Sequence, residues 1–269
     1  MPRLTPRSLQ KRIFLYAYLS GAEFISEEWG ICNVFYDWND YELSPYGRVK
    51  KELVDFMDKY PDVGEVLTPI GVIMPKDLPM LENVFKKPHY RPVFPYVDST
   101  YEKVKAGVEE LFATSAPMMG TETITMVNCT IPDALDLLND GFGDISKYEY
   151  LVDLTFDPEF KKRHGNLCDI KDVSAILKKL LPCYVEAGLH WLVNKCESGG
   201  YYLSVFNHSG IVRTIEDGEY TLPEADKTVT VSFKENVSPT VLEGGGILEK
   251  DDDIYHLNIP AGDWAFIKF

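Results

Sequence analysis

Residues 21–75 read GAEFISEEWGICNVFYDWNDYELSPYGRVKKELVDFMDKYPDVGEVLTPIGVIMP. An apolar segment carries Glu23, Glu27 and Glu28 and ends at Trp29-Gly30; an aromatic and acidic loop, residues 32–43, follows. Ser44-Pro45 then opens a helix, because serine caps a helix N-terminus well and proline at the first helical position forfeits no hydrogen bond. Val49, Leu53, Phe56 and Met57 recur at helical spacing on one face, with Lys50, Lys51 and Glu52 turned away. Residues 67–74 read as a short buried strand closed by Pro75. Strand, polar-aromatic loop, amphipathic helix and strand make a βα unit of an α/β protein.

Upstream, MPRLTPRSLQKRIFLYAYLSG is basic and then apolar, as in a secretory signal, but tyrosines interrupt it and no small-residue cleavage site follows. It is expected to form a helix over 8–19 with Leu9, Ile13, Tyr16 and Ala17 inward. Downstream, residues 62–198 alternate between strand and helix. Strands are expected at 67–74, 123–128 and 148–154, with helices at 101–112 and 170–181. A short helix is read over 132–141, and 183–186 and 189–194 are read as completing the same open parallel sheet. Residues 76–97 are proline-rich and irregular. From residue 199 the texture changes to short alternating strands between Asn-His-Ser-Gly, Asp-Gly, Gly-Gly-Gly and Pro-Ala-Gly turns, the pattern of a small antiparallel sandwich.

The segments YLSGAEFISEEWG, LSPYGRVKKELVDF and GEVLTPIGVIMP together resemble the last βα repeat of a (β/α)8 glycoside hydrolase and its exit into the next domain. GGYYLSVFNHSGIVRTI and IPAGDWAFIKF resemble the first hairpin and terminal strands of the β-domains that end such enzymes. In the order of these parts the chain resembles the family 42 β-galactosidases and similar multidomain glycosidases. The resemblance implies a barrel remnant over 1–61, an amidotransferase-like, flavodoxin-like trimerisation domain over 62–198 and a C-terminal β-sandwich over 199–269. It also implies hydrolysis of O-glycosidic bonds in the complete family. A closed barrel needs eight strands in about 250 residues, and only one barrel strand is legible before residue 62. The chain is therefore expected to be inactive alone and to serve assembly, as a homo-oligomer or with a partner that supplies the barrel.

A net charge of −15 argues against nucleic acid, which requires a concentrated basic surface. No apolar run reaches the roughly 20 residues of a membrane span. Cys32, Cys129, Cys168, Cys183 and Cys196 are widely spaced and unpaired by motif, so no zinc site and no disulfide framework is expected, and a cytoplasmic address fits reduced thiols. No cofactor is implied.

Glycoside hydrolysis needs two carboxylates about the scissile bond. Glu27 and Glu28 are the candidate catalytic acids, and Trp29, Trp38 and Asp37 the candidate substrate contacts, offering stacking and hydrogen-bond acceptors to a carbohydrate. In the resembling enzymes the catalytic pair sits on other strands, so these acids lack an opposite number. Two other classes stay open. One is a non-catalytic carbohydrate-binding or oligomerisation module. The other is an α/β cysteine hydrolase using Cys129 with His164 or His190, although VNCTIP lacks the glycines of a nucleophile elbow. Trp191 in GLHWLVN reads as core, the acids at 251–253 as a solvated turn, and Gly244–Gly246 as a hairpin link rather than a phosphate loop.

Overall fold

The computed structural model describes residues 7–23, 34–36, 41–76, 99–112, 131–186, 188–214, 218–252 and 254–269. The chain mixes helices with both parallel and antiparallel sheets, and its C-terminal region is rich in strands.

Two helices open the described chain: α1 (Arg7–Leu19) and α2 (Pro45–Lys59). As the sequence implies, Ser44 caps α2 by accepting from Gly47 N at 3.1 Å, and Pro45 occupies its first turn. Val49 and Phe56 are buried and Leu53 is half-buried, but Met57 is 37% exposed, at the margin of the apolar stripe. In α1 the buried residues are Leu9, Arg12, Phe14, Leu15 and Leu19, whereas Ile13, Tyr16 and Ala17 are only half-buried. The face is rotated from the expected one because it accommodates an arginine, a residue that composition rules place outside.

Proline 69 divides the next segment between two sheets. Before it, β1 (Glu65–Val66) pairs antiparallel with a later strand; after it, β2 (Ile70–Met74) is buried throughout and pairs in parallel with two others. The parallel sheet contains β2, β3 (Leu135–Asn139), β4 (Tyr150–Asp153) and β5 (Leu167–Cys168), in the order β3-β2-β4-β5. It is an open sheet, and no ring of eight parallel strands occurs among the described residues. One face, with Ile70, Val72 and Val152, packs with Leu111 of α3 (Ser99–Phe112) and with Val173 and Leu177 of α5 (Val173–Leu180). On the other face Ile73 and Leu151 meet Phe160 of α4 (Pro158–Arg163) and Tyr148. The expected helix over 132–141 is instead the edge strand β3. Its five residues, LDLLN, are too short a run for periodicity to separate helix from strand.

The remaining strands are β6 (Cys183–Glu186), β7 (His190–Lys195), β8 (Tyr201–Phe206), β9 (Ile211–Thr214), β10 (Gly218–Thr221), β11 (Lys227–Phe233), β12 (Thr240–Gly244), β13 (Ile247–Asp251), β14 (Ile254–Ile259) and β15 (Trp264–Lys268). They form a five-stranded antiparallel sheet, β1-β7-β8-β15-β12, a four-stranded one, β13-β14-β11-β6, and the β9–β10 hairpin. The two larger sheets share one core, in which Val193, Leu203, Val205, Ala265 and Ile267 meet Val185, Val229, Val231, Leu257 and Ile259. Strands β6 and β7, read from sequence into the parallel sheet, belong to these antiparallel sheets, and the expected boundary at 198/199 runs between the paired strands β7 and β8. A short strand covered on both faces is mostly buried whether its neighbours run parallel or antiparallel, so CYVE and HWLVN carry no mark of direction.

The helices cover the second face of the five-stranded sheet. Leu15, Leu19 and Phe56 pack on Leu192, Tyr202, Phe206, Trp264 and Phe266. The Phe56 ring lies edge-on to Trp264 and Phe266, with centroids 5.5 and 5.3 Å apart. The order across the molecule here is helices, five-stranded sheet, four-stranded sheet.

Candidate functional site

The candidate acids Glu27 and Glu28, the candidate contacts Trp29, Asp37 and Trp38, and Cys129 lie outside the described residues. His164 is half-buried, its ring tilted 40° against that of Phe160 with centroids 4.4 Å apart. Trp191 is core, edge-on to Tyr184, as its apolar strand implies. Among the described residues no three His, Cys, Asp or Glu side chains converge to hold a metal ion, and no helix is long and apolar enough to cross a membrane.

Three places could carry function. The first is the carboxyl edge of the parallel sheet. The order β3-β2-β4-β5 reverses direction between β2 and β4, and ligands of open α/β sheets bind at such a switch point. An elbow enzyme sets its nucleophile on the strained strand-to-helix turn there. The turn from β4 to α4 is strained: Phe156 has φ +55°, a left-handed backbone unusual for a residue with a side chain. Asp153 Oδ1 accepts from Thr155 N at 2.8 Å and from Thr155 Oγ1 at 2.6 Å, and Asp157 caps α4 through Glu159 N. The residue at the tip, 45% exposed beneath Lys103, is a phenylalanine and cannot attack a carbonyl. The thiols at 168 and 183 offer no substitute. Burial, then Asp172 and Asp169, push Cys168 up to about 11, and complete burial raises Cys183 further, so both remain thiols.

The second place is an open cleft of about 550 Å³ between α1, α2 and the β9–β10 hairpin. Two exposed rings flank it: Tyr36, 58% exposed, and Tyr220, 43% exposed. Arg7, Lys11, Arg48, Glu52, Glu219 and Thr221 add polar groups to its walls. Glu219 is committed to α1: its carboxylate accepts from the backbone N–H of Arg7 and of Ser8 and from Ser8 Oγ, satisfying donors at the positive end of the helix. Lys11 Nζ pairs with Glu52 Oε2 at 2.7 Å, tying α1 to α2.

Beneath this cleft runs a buried polar chain, the third place. Arg12 Nε donates to His208 Nδ1 at 3.1 Å, and Nη1 donates to Gly262 O. His208 Nε2 lies 3.0 Å from His190 Nδ1, and His190 Nε2 lies 3.8 Å from Asp133 Oδ2, which also accepts from Tyr16 OH. Because arginine can only donate, His208 Nδ1 accepts and its ring proton sits on Nε2; His190 therefore accepts at Nδ1 and presents its own N–H to Asp133. Burial, then Arg12 and His190, push His208 down to about 2, so the ring is neutral. Burial lowers Arg12 to about 10, opposed by Asp263 and Glu219, and the guanidinium stays charged at neutral pH. At the far end of α1, Asn194 Nδ2 donates to Leu19 O at 2.8 Å and caps its C-terminus. The members of this buried chain are an arginine, two histidines, an aspartate and a tyrosine, with no cysteine or serine nucleophile among them. Its role is to seat α1, and with it one wall of the cleft.

Sequence reasoning missed both Tyr36 and Tyr220, and it missed Arg12 and His208. Tyr220 was legible only as an outward position of the EDGEYTL hairpin. The arginine and histidine gave no signal, because their partnership joins residues 196 positions apart. Comparison with protein-family models, with curated proteins and with solved structures finds no match.

Proposed function

We propose that this chain is the C-terminal part of a glycoside hydrolase-like protein, related in plan to the family 42 β-galactosidases, acting in assembly and carbohydrate contact rather than in bond cleavage. The observation that carries the reading is the order of parts. A helix pair comes first, then an open parallel sheet, then two antiparallel sheets sharing a core. In this reading α1 and α2 correspond in chain order to the last two helices of a barrel, here packed on the five-stranded sheet instead of on barrel strands. The parallel sheet is an amidotransferase-like assembly domain, and the antiparallel sheets form the terminal β-sandwich. The tip of the β4–α4 turn agrees with an assembly role, since Phe156 stands where an elbow enzyme keeps its nucleophile.

The test is turnover and size together. The purified chain is expected to release no nitrophenol from nitrophenyl β-galactoside above the blank and to sediment as a homo-oligomer. Turnover by the chain itself would overturn the first half, and a monomer at all concentrations the second.

A non-catalytic carbohydrate-binding module is the second reading, favoured by the exposed Tyr36 and Tyr220 at one cleft. The cysteine-hydrolase reading has weaker support, because the half-buried thiol at 168 and the buried one at 183 are held protonated. Ester turnover lost on Cys129→Ala would restore it.

A further inference from the structure

The charges around the cleft run against the rest of the molecule. The whole chain carries 42 acidic and 27 basic side chains. The cleft is lined by three cations, Arg7, Lys11 and Arg48, and two anions, Glu52 and Glu219. Both anions are already engaged, Glu52 by Lys11 and Glu219 by the first turn of α1. That leaves two guanidinium groups, Arg7 and Arg48, each on an exposed residue and forming no ion pair among the described residues. Among the described residues the Arg48 guanidinium makes one long bond, from Nε to Leu43 O at 3.5 Å, which leaves its outer nitrogens to a planar bidentate acceptor. The flanking tyrosines offer flat apolar faces, each with a hydroxyl. Arginines beside exposed rings, with no deep apolar pocket, suit a ligand that is flat-faced, hydroxylated and anionic.

We propose that the cleft between α1, α2 and the β9–β10 hairpin binds an acidic saccharide, a uronate-bearing oligosaccharide, through its carboxylate on Arg48 and Arg7 and its ring faces on Tyr36 and Tyr220. The inference rests on the carbohydrate reading of the chain and narrows it from sugars in general to charged ones. The Lys11–Glu52 pair ties α1 to α2, and Glu219 ties α1 to the hairpin, so the walls of the cleft are joined to one another.

The experiment is calorimetric titration of the full chain with trigalacturonate and, in parallel, with neutral galactotriose and with citrate. Trigalacturonate is expected to bind, and Arg48→Ala to weaken it roughly tenfold or more, the loss of one charge-assisted contact. Tyr220→Ala is expected to weaken it too, with affinity falling as salt rises. Both positions are exposed, and an unchanged melting temperature checks that each variant is folded. Equal affinity for galactotriose would overturn the choice of an acidic ligand while leaving the carbohydrate reading standing. Equal affinity for citrate would overturn ring recognition. Binding that survives both substitutions, or no binding of trigalacturonate up to about 10 mM, would overturn the site itself.

Discussion

The five-stranded sheet presents two unlike faces from the same strands. Toward the four-stranded sheet, alternate residues are apolar throughout: Trp191 and Val193, Leu203 and Val205, Ala265 and Ile267. Toward the helices, the residues between them include His190, Asn194 and Ser204 beside Leu192, Phe206, Trp264 and Phe266, and they receive a buried arginine. The apolar face gains by area alone and tolerates small shifts of register between the layers. The mixed face fixes where α1 sits, because each buried polar atom needs a partner at one distance and direction. One face holds the fold together and the other sets the geometry of the cleft.

Substitutions on the helix side can break this contrast. Phe56 is 6% exposed among Trp264, Phe266 and Tyr60, so Phe56→Ala is expected to cost about 3–5 kcal/mol, read as a shift of the urea midpoint. Arg12→Ala strips His208 and Gly262 O of their donor and is expected to cost about 3 kcal/mol. Arg12→Met, which keeps volume but not hydrogen bonds, is expected to recover part of that loss.

Acidification separates the two faces without mutation. His208 is held at about 2 in the folded protein, against an ordinary value near 6.5 when unfolded. Between those values the unfolded chain takes up a proton that the folded chain refuses. The contribution is therefore intact above about pH 6.5, and stability falls as pH drops below it. The slope is at most about 1.4 kcal/mol per pH unit from this group. His208→Gln, which can still accept from Arg12, is expected to flatten that slope, whereas Val205→Ala on the apolar face should lower stability and leave the slope unchanged. Urea titrations at three pH values between 4.5 and 7 check both, within the window these shifts define. The smallest effect is expected from Glu219→Ala. Loss of an N-terminal cap should cost about 1 kcal/mol, seen as a lower thermal midpoint and faster exchange in the first turn of α1.

What the sequence disclosed follows the reach of each signal. Capping and helical periodicity are local, and α2, α3 and α5 stand close to where they are expected, with Ser44 and Pro45 in their expected roles. The C-terminal strands were legible from alternation and turn residues for the same reason. Direction of pairing is not local, so the sequence assigns β6 and β7 to the parallel sheet, whereas they belong to the antiparallel ones, and its short apolar run at 135–139 suits a helix as well as the strand β3. The buried chain was the least legible feature. Arg12 sits in a basic stretch, RSLQKR, that looks solvated, and only the fold brings His208, His190 and Asp133 into line behind it. Tyr36 and Tyr220 likewise meet only across the cleft formed by distant segments.

Native-state amide hydrogen exchange across residues 9–19 tests most directly whether α1 is an integral layer on the five-stranded sheet. The inner amides of α1 are expected to exchange only with global unfolding, as slowly as those of β7 and β8, and Arg12→Ala to release α1 while β8 stays protected. Exchange of α1 in wild-type protein through local opening, orders of magnitude faster than the sheet, would contradict this expectation.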